Sequence, residues 1–371
     1  MEIDRTILNY DEQAIFALRG LYNRFGYERY KMGRFEEYDL YVQNKDFLVS
    51  DEVITFTDRN GRLLAMKPDV TLSIIKNAPD QKGVVQKVYY NENVYRVTDG
   101  SHAFREIMQA GLECIGDLRE YDIAEVVLLA AKSLQLICPR FVLDLSHMGL
   151  ISAVLRSSGL SPAGQTAALT CLREKNPHDL ASLCDRENVD ASVLTALCSC
   201  EGTAEEVLCL LKPMLSDPAA QGAWQQLNSL CTMLRAAGFG HQIRVDFSVG
   251  NDLKYYSGVV FKGYLEGIPT SVLSGGQYDA LLQKMGRRSS AIGFAIYTDL
   301  LERLEAKKAA YDVDTLLLHE GSADTGALLA AVEALSESGS VLVASTLPEN
   351  KRWRRLARFS KGEVTVLEDN G

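Results

Sequence analysis

The chain has 371 residues, more than one domain of roughly 150 residues would hold, so we expect two or three domains. Its composition, 47% hydrophobic and 24% charged, is typical of a folded globular protein and excludes disordered, collagen-like and coiled-coil classes. A net charge of −10 argues against a general binder of nucleic acids or anionic membranes, because affinity for phosphate groups comes from accumulated lysine and arginine.

The first third of the chain has the pattern of one helix followed by several strands. Apolar residues recur at helical spacing over residues 10–25, and Gly26 ends the pattern. Two alternating segments flank Asn60-Gly61, a pair that supplies the positive φ angles of a tight hairpin turn. We expect an antiparallel meander in which the further short strands lie at residues 84–90, 92–97 and 104–115.

From about Tyr121 the pattern becomes helical. A helix is predicted to residue 137 and a short strand at residues 141–145, while residues 160–235 carry no long strand signal. This long stretch is typical of a helical insertion. After it, we predict strands at residues 243–247, 256–264 and 270–274 and a helix at residues 277–285.

The tail alternates between strand and helix. Strands are predicted at residues 314–318, 340–344 and 364–367, and helices at residues 325–336 and 350–360. The fold class is therefore α+β, an antiparallel sheet flanked by helices. We predict two parts of one domain at residues 1–150 and 239–308, a helical insertion at 151–238 and a small α/β C-terminal domain at 309–371.

Hydropathy and cysteine usage favour a cytoplasmic protein. The N-terminus is polar and no run of about 18 uncharged apolar residues occurs, so we expect neither secretion nor membrane insertion. Most cysteines lie in apolar, helix-like surroundings, which indicates reduced core residues. Because Cys198 and Cys200 have no CxxC spacing and no nearby histidine cluster, we predict no metal or redox site.

Polar side chains interrupt two segments that are otherwise strand-like. Asp69 and Thr71, two residues apart, would project from the same face of an extended chain. Arg105, Gln109 and Glu113 are spaced by four, which gives one shared face in a helix and also in a strand. A helix and a strand would therefore both place Gln109 and Glu113 close together.

A third polar group combines the pair Tyr255-Tyr256 with residues 274–279 (SGGQYD). Pooled with the two segments above, its hydroxyls, amides and acids would hydrogen-bond a polar ring and hold a cation, since an unpaired buried charge is costly. The residues therefore favour a small cationic ligand such as an amino acid. The alternative from the residues alone is that these are solvated polar side chains on a sheet face.

Six segments, in chain order, resemble the motifs of histidyl-tRNA synthetases, a family of class II aminoacyl-tRNA synthetases. They are VITFTDRNGRLLAMKPDVT, VYRV, FREIMQAGLECIG, DLKYYSGVVFKGY, SGGQYDALL and AIGFAIYTDLLERL. The resemblance spans about residues 5–305, with the helical block where that family carries an insertion, and it implies a class II synthetase-like fold. The segment from Gly26 to Glu36 resembles the dimer-interface motif 1, with Gly33 in place of the expected proline.

The resemblance implies a pocket for histidine. Asp69 replaces a glutamate that accepts a hydrogen bond from the α-ammonium group. Thr71, Gln109 and Glu113 match the other contacts to the ammonium and imidazole groups.

Aromatic and basic positions of the family match as well. Tyr255 and Tyr256 match the tyrosines that line the imidazole pocket, and Tyr278 matches the tyrosine after the paired glycines. Arg96 matches the motif 2 arginine and Arg105 a second one. All of these positions are expected to bind the ligand, and none is expected to be catalytic.

The residues for adenylation are incomplete. Leu300 stands at the position of the motif 3 arginine and Asn251 at that of the histidine-specific catalytic arginine, and Val97-Thr98 lacks the motif 2 acid. Adenylation needs fixed cations against the developing phosphate charge, which neutral side chains do not supply. The resemblance therefore implies neither catalysis nor a cofactor or metal.

A synthetase-like domain that lacks the residues for adenylation and is followed by a short C-terminal domain resembles the family of ATP phosphoribosyltransferase regulatory subunits. That family implies a short-form catalytic subunit as partner in the first step of histidine biosynthesis. It also implies feedback inhibition with histidine as the allosteric effector, and self-association as a dimer within a hetero-octamer of four chains of each kind. Binding of nucleic acid or membrane is not expected, and WRRLARFSK, the basic stretch of the tail, is predicted to be an exposed helix face.

Two alternatives stay open. One is an active histidyl-tRNA synthetase with unusual motifs, against which Leu300 and Asn251 stand. The other is a stand-alone paralogue that binds or transfers an amino acid without the phosphoribosyltransferase.

Overall fold

The computed structural model describes residues 8–48, 53–97, 103–200, 202–249, 255–304, 311–321 and 324–370. The chain divides into two compact units, Met1–Leu304 and Glu305–Gly371. The predicted boundaries of the four regions stay a prediction.

The first helix, α1 (Tyr10–Arg24), is confirmed where the sequence predicts it. The backbone N–H of Asn9 donates to Glu12 at 3.0 Å, a reciprocal cap that satisfies an end group of the helix. Leu18 and Tyr22 on its inner face are each 1% exposed. The chain leaves the helix through Gly26 at a φ of +80°, a conformation that favours glycine.

The first unit is built on an eight-stranded sheet of order β1-β5-β6-β11-β10-β9-β7-β8. All neighbours are antiparallel except the outer pairs β1/β5 and β7/β8, which are parallel. The strands are β1 (Glu28–Arg29), β5 (Val85–Val97), β6 (Phe104–Gly116), β7 (Phe141–His147), β8 (Ile243–Val245), β9 (Val259–Leu265), β10 (Leu273–Gln277) and β11 (Ser290–Tyr297). The two short strands predicted at 84–90 and 92–97 are wrong as separate elements, because β5 runs through both and pairs with β6 along its whole length.

The two faces of this sheet carry different apolar clusters. On one face α1 and α4 (Glu120–Ile137) cover side chains such as Leu112 and Phe294. On the other face α2 (Tyr38–Val42), α3 (Thr71–Asn77) and α11 (Asp279–Lys284) cover side chains such as Tyr90 and Ile115. Glu113 lies on this second face, because it is two residues from Ile115 in the same strand.

A separate three-stranded sheet joins β2 (Phe35–Glu37), β4 (Leu63–Met66) and β3 (Thr55–Thr57) in the order β2-β4-β3. The hairpin predicted around Asn60-Gly61 is present, but its tight two-residue turn is wrong. Only Gly61 has a positive φ, +79°, and the backbone N–H of Asp58 bonds the carbonyl of Arg62 at 2.9 Å across a longer loop. The Asp58 carboxylate organises this loop by accepting the N–H groups of Asn60 and Arg62 at 2.8 Å each.

In the described part of the chain, six α-helices follow β7 before the chain returns to the sheet. They are α5 (Met148–Ser157), α6 (Pro162–Arg173), α7 (Pro177–Glu187), α8 (Ser192–Ser199), α9 (Ala204–Leu211) and α10 (Pro218–Leu234). Three of them begin with proline, where the missing N–H costs nothing, after the capping residues Ser161, Asn176 and Asp217. Their buried leucines belong to the same apolar cluster as α1 and α4.

The second unit is a four-stranded sheet of order β13-β12-β14-β15 with one helix. Its elements are β12 (Val313–His319), α12 (Thr325–Ser336), β13 (Val341–Ala344), β14 (Trp353–Ser360) and β15 (Glu363–Asp369). The helix predicted at residues 350–360 is wrong, because β14 pairs with β12 on one side and β15 on the other. The signal for this hairpin is Lys361-Gly362, whose φ angles of +53° and +83° suit a tight β-turn.

Candidate functional site

A cavity of about 220 Å³ lies on the sheet face that carries Glu113. Eight of the nine predicted ligand residues line it: Asp69, Thr71, Arg96, Gln109, Glu113, Tyr255, Tyr256 and Tyr278. The ninth, Arg105, is exposed and is not among the lining residues. The cavity is smaller than the roughly 300–1,000 Å³ of pockets for drug-sized molecules, which suits a ligand the size of an amino acid.

The floor of the cavity is formed by β6 and β11. Gln109 and Glu113 on β6 are each 2% exposed, and Gly293 of β11 stands opposite Glu113. A Cβ atom on Gly293 would lie 1.7 Å from Glu113 Oε2. Glycine at this position therefore makes the room in which the carboxyl group sits.

Two hydroxyl groups hold the Glu113 carboxyl group. Thr71 Oγ1 donates to Glu113 Oε1 at 2.7 Å, and the Tyr278 hydroxyl donates to Oε2. Burial raises the pKa of Glu113 to about 8, although both hydrogen bonds favour the charged form. A cationic ligand beside this group would favour its ionised state.

Asp69 occupies a helix start and not the extended chain predicted from the sequence. Its Oδ1 atom accepts the backbone N–H of Leu72 at 2.8 Å, and Thr71 is the first residue of α3. The two side chains still reach one cavity, because the turn of the helix brings Thr71 to Glu113. Burial raises the pKa of Asp69, with Arg96 opposing that shift.

Arg96 is buried, with 8% exposure, at the end of the cavity near Asp69. Its Nε donates to the carbonyl of Pro68 at 2.8 Å, and its Nη2 lies 3.9 Å from Asp69 Oδ2. Among the described residues that line the cavity, Arg96 is the only lysine or arginine. With Asp69 and Glu113 also present, the lining carries more acidic than basic groups and favours a cation.

Aromatic rings form one wall of the cavity. The rings of Tyr255 and Tyr256 meet edge to face with centroids 4.6 Å apart, and Tyr278 lies 5.9 Å from Tyr255. Burial raises the pKa of all three phenols, so they remain neutral at physiological pH. Neutral rings next to one carboxyl group suit a planar, polar and partly cationic ring.

Several lining residues were not predicted from the sequence. Tyr90 projects from β5 opposite Gly111, and Tyr297 projects from β11 opposite Gln109. A Cβ on Gly111 would lie 2.5 Å from the Tyr90 hydroxyl, so this glycine accommodates the ring. Strand register is the signal that would have found both tyrosines, and a single sequence does not supply it.

Leu300, at the position of the motif 3 arginine, is not among the residues that line the cavity. Leu300, in a short 3-10 segment at Thr298–Leu304, packs against the large apolar cluster and is not a lining residue. Asn251 lies outside the described residues. At the position of Leu300 the structure therefore has an apolar side chain in contact with other apolar side chains, where the family has a cation.

Within the described ranges, the cysteines, the acidic and histidine side chains and the helices bear on three further predictions. The eight cysteines are all free thiols. No group of three or more His, Cys, Asp or Glu side chains there is placed to hold a metal ion. None of the helices within those ranges has the length and apolar character needed to cross a membrane.

A mostly antiparallel sheet with an amino-acid-sized cavity on one face, lined by Arg96 and by Glu113 opposite Gly293, defines a class II synthetase-like protein. The family described as histidyl-tRNA synthetase matches residues 8–301. The chain belongs to this family.

Individual relatives refine that assignment. A protein of Alkaliphilus metalliredigens named ATP phosphoribosyltransferase regulatory subunit is 27% identical over 339 residues, 87% of this chain and 85% of that protein. A Bacillus halodurans structure described as an ATP phosphoribosyltransferase regulatory subunit/histidyl-tRNA synthetase has a TM-score of 0.72 at 23% identity and covers 90% of this chain and 88% of its own. A chain of the ATP phosphoribosyl transferase (HisG:HisZ) complex from Thermotoga maritima has a TM-score of 0.63 at 18% identity, covering 78% and 97% respectively. These matches confirm the resemblance that the motifs indicated, and the two structures support the fold.

Proposed function

We propose that this chain is the regulatory subunit of an ATP phosphoribosyltransferase, required for activity of a short-form catalytic subunit and for feedback inhibition by histidine. The observation that carries the proposal is the cavity around Glu113, whose size and lining suit an amino acid, while Leu300 packs against the apolar cluster. The regulatory-subunit name of the Alkaliphilus metalliredigens relative supports the same role.

Histidine matches the groups around the cavity. Its α-ammonium group would lie among Asp69, Thr71 and Gln109, which offer a carboxylate, a hydroxyl and an amide oxygen. Its imidazole ring would lie against the tyrosine wall with a ring N–H donated to Glu113. The Glu113 carboxyl group is buried and that of Asp69 is 15% exposed, so a matching cation would contribute charge-assisted contacts that water screens little.

The chain itself would not adenylate histidine. Removal of one preorganised donor from a charged transition state costs roughly 10²–10³ in rate, and the motif 3 position carries the apolar Leu300. The role left to the site is binding. Histidine would then act by linkage, since an effector shifts a quaternary equilibrium only by the difference in its affinity for the two states.

The assembly we propose is a cytoplasmic hetero-octamer, in which dimers of this chain associate with the short-form catalytic subunit. The likeness to a chain of the Thermotoga maritima complex supports a catalytic partner of this kind. In this assembly the partner subunit would catalyse the reaction, and this chain would control it allosterically.

The test is reconstitution with the short-form catalytic subunit of the same genome. We expect co-elution of the two chains in size-exclusion chromatography with light scattering, and phosphoribosyltransferase activity that rises when this chain is added. A catalytic subunit that neither associates with this chain nor gains activity would leave a stand-alone amino-acid-binding paralogue.

One observation favours a second candidate, an active synthetase. Arg96, the motif 2 arginine, is retained and lines the cavity. Histidine-dependent ATP–pyrophosphate exchange by the pure chain would establish that activity and refute the regulatory proposal. We expect no exchange above background.

A further inference from the structure

An amino acid bound in the cavity has a carboxylate that needs a partner. Among the described lining residues the only cation is Arg96, and it already donates to the Pro68 carbonyl and faces Asp69. A buried carboxylate without a cation or donors is costly. The lining therefore offers the ligand carboxylate one cation, and the carboxylate would share that cation with Asp69.

Strand register places a lysine next to this lining. Ser274 of β10 pairs with Ala295 on one side and with Lys262 of β9 on the other. Residues paired across adjacent strands project from the same face, about 5 Å apart. Since Ser274 and Ala295 line the cavity, Lys262 stands on the cavity face one strand beyond its edge.

Lys262 is half-buried, and burial lowers its pKa, with Asp246 opposing the shift. In the described part of the chain it forms no ion pair within 4.0 Å. Asp246, the carboxylate that attracts it, instead pairs with Lys175 at 2.7 Å. On its other side Lys262 pairs in register with Asp144 of β7. Two carboxylates, Asp144 and Asp246, therefore lie near this partly desolvated cation, and on the described residues neither forms an ion pair with it.

We propose that Lys262 binds the carboxylate of the amino-acid ligand, reaching past Ser274 along the face of the sheet. The lysine side chain has a flexible stem of four methylene groups, so its ammonium group can turn toward the cavity when an anion binds there. Binding would give the ammonium the partner it lacks. This inference rests on the proposed function, because it names a contact within the same histidine site.

The test compares L-histidine with L-histidinol, which keeps the ammonium and imidazole groups and lacks the carboxylate. Isothermal titration with the full-length chain should show tighter binding of histidine, by roughly tenfold or more, as expected for a charge-assisted contact. Lys262→Met should remove most of this preference by weakening histidine while leaving histidinol nearly unchanged. Lys82→Met is the control, because Lys82 is exposed and is not among the residues that line the cavity, and it should keep the preference.

The outcomes separate the two proposals. If wild-type protein binds histidine and Lys262→Met, with an unchanged melting temperature, keeps the full preference, the Lys262 contact is refuted and the histidine site stands. If wild-type protein binds neither ligand, the proposed function itself fails. Lys262→Gln, a second neutral variant, should reproduce the loss if Lys262→Met folds poorly.

Discussion

Glu113 is a carboxyl group that the fold keeps under almost complete burial, 2% exposed, beside two hydroxyl donors. In an unfolded chain its pKa would be near 4.5, whereas in the cavity burial raises it to about 8. Between these values the folded protein holds a proton that the unfolded chain releases, so rising pH favours unfolding. The stability contributed by this group is complete below about pH 4.5 and is lost as the pH rises through about 8.

The first prediction concerns this pH dependence. Glu113→Gln cannot ionise, so at pH 8 the ligand-free variant should be more stable than wild type by roughly 2–4 kcal/mol, with little difference at pH 5. Urea unfolding at the two pH values measures the difference. The control is Glu106→Gln on the same strand, since Glu106 is exposed and should show no such change. An equal effect of Glu113→Gln at both pH values would contradict the assignment.

The second prediction concerns binding by the same residue. Glu113→Ala should weaken histidine binding by roughly tenfold or more, because a buried charge-assisted hydrogen bond is worth about 1.5–3 kcal/mol. Titration calorimetry on the isolated chain measures this loss, and unchanged affinity would remove Glu113 from the site.

At the scale of elements, the sequence predicted helices and strands that follow from a local pattern of residues. It failed for segments whose structure depends on pairing with distant strands. Gln109 and Glu113 share a face in a helix and in a strand, so their grouping did not depend on the element type. Asp69 is different, because a short polar segment fits both an extended chain and a helix cap, and α3 behind it selects the cap. Residues 353–360 form a strand because two neighbours bond them, which the local spacing of WRRLARFS does not reveal.

The third prediction uses the close packing of β6 against β11. Gly293→Ala would place a methyl group against Glu113 Oε2, so we expect a loss of roughly 1–3 kcal/mol in the free energy of unfolding and weaker histidine binding. Gly222→Ala in α10 is the control, because nothing lies within 4 Å of its added methyl group, and it should be neutral or slightly stabilising. Urea unfolding measures the stabilities. Equal stabilities for the two variants would show that β11 shifts enough to accommodate the added methyl group without cost.

At the scale of the whole molecule, the chain has the synthetase-like sheet with a cavity on one face. At the position of the motif 3 arginine it has Leu300, which packs against apolar side chains. The motifs predicted the fold and grouped eight of the nine site residues from their order along the chain. They did not reveal Tyr90, Tyr297 or the neighbouring Lys262, since those positions follow from strand register. Arg105 matched a motif by spacing, yet its position near the end of β6 leaves it exposed.

The fourth prediction addresses the missing chemistry. Leu300→Arg alone should not create histidine-dependent ATP–pyrophosphate exchange, because Asn251 remains neutral and the new arginine starts from a position packed against apolar side chains. Measurable exchange in this single variant, with none in wild type, would show that Leu300 alone accounts for the defect.

The central claim is that histidine in this cavity regulates a separate catalytic subunit. Its most direct test is a histidine titration of phosphoribosyltransferase activity in the reconstituted complex, with the wild-type chain and with Glu113→Gln. We expect that both complexes are active, that histidine inhibits the wild-type complex, and that the Glu113→Gln complex needs at least roughly tenfold more histidine for the same inhibition. Identical inhibition curves for the two complexes, or activity that does not depend on this chain, would contradict it.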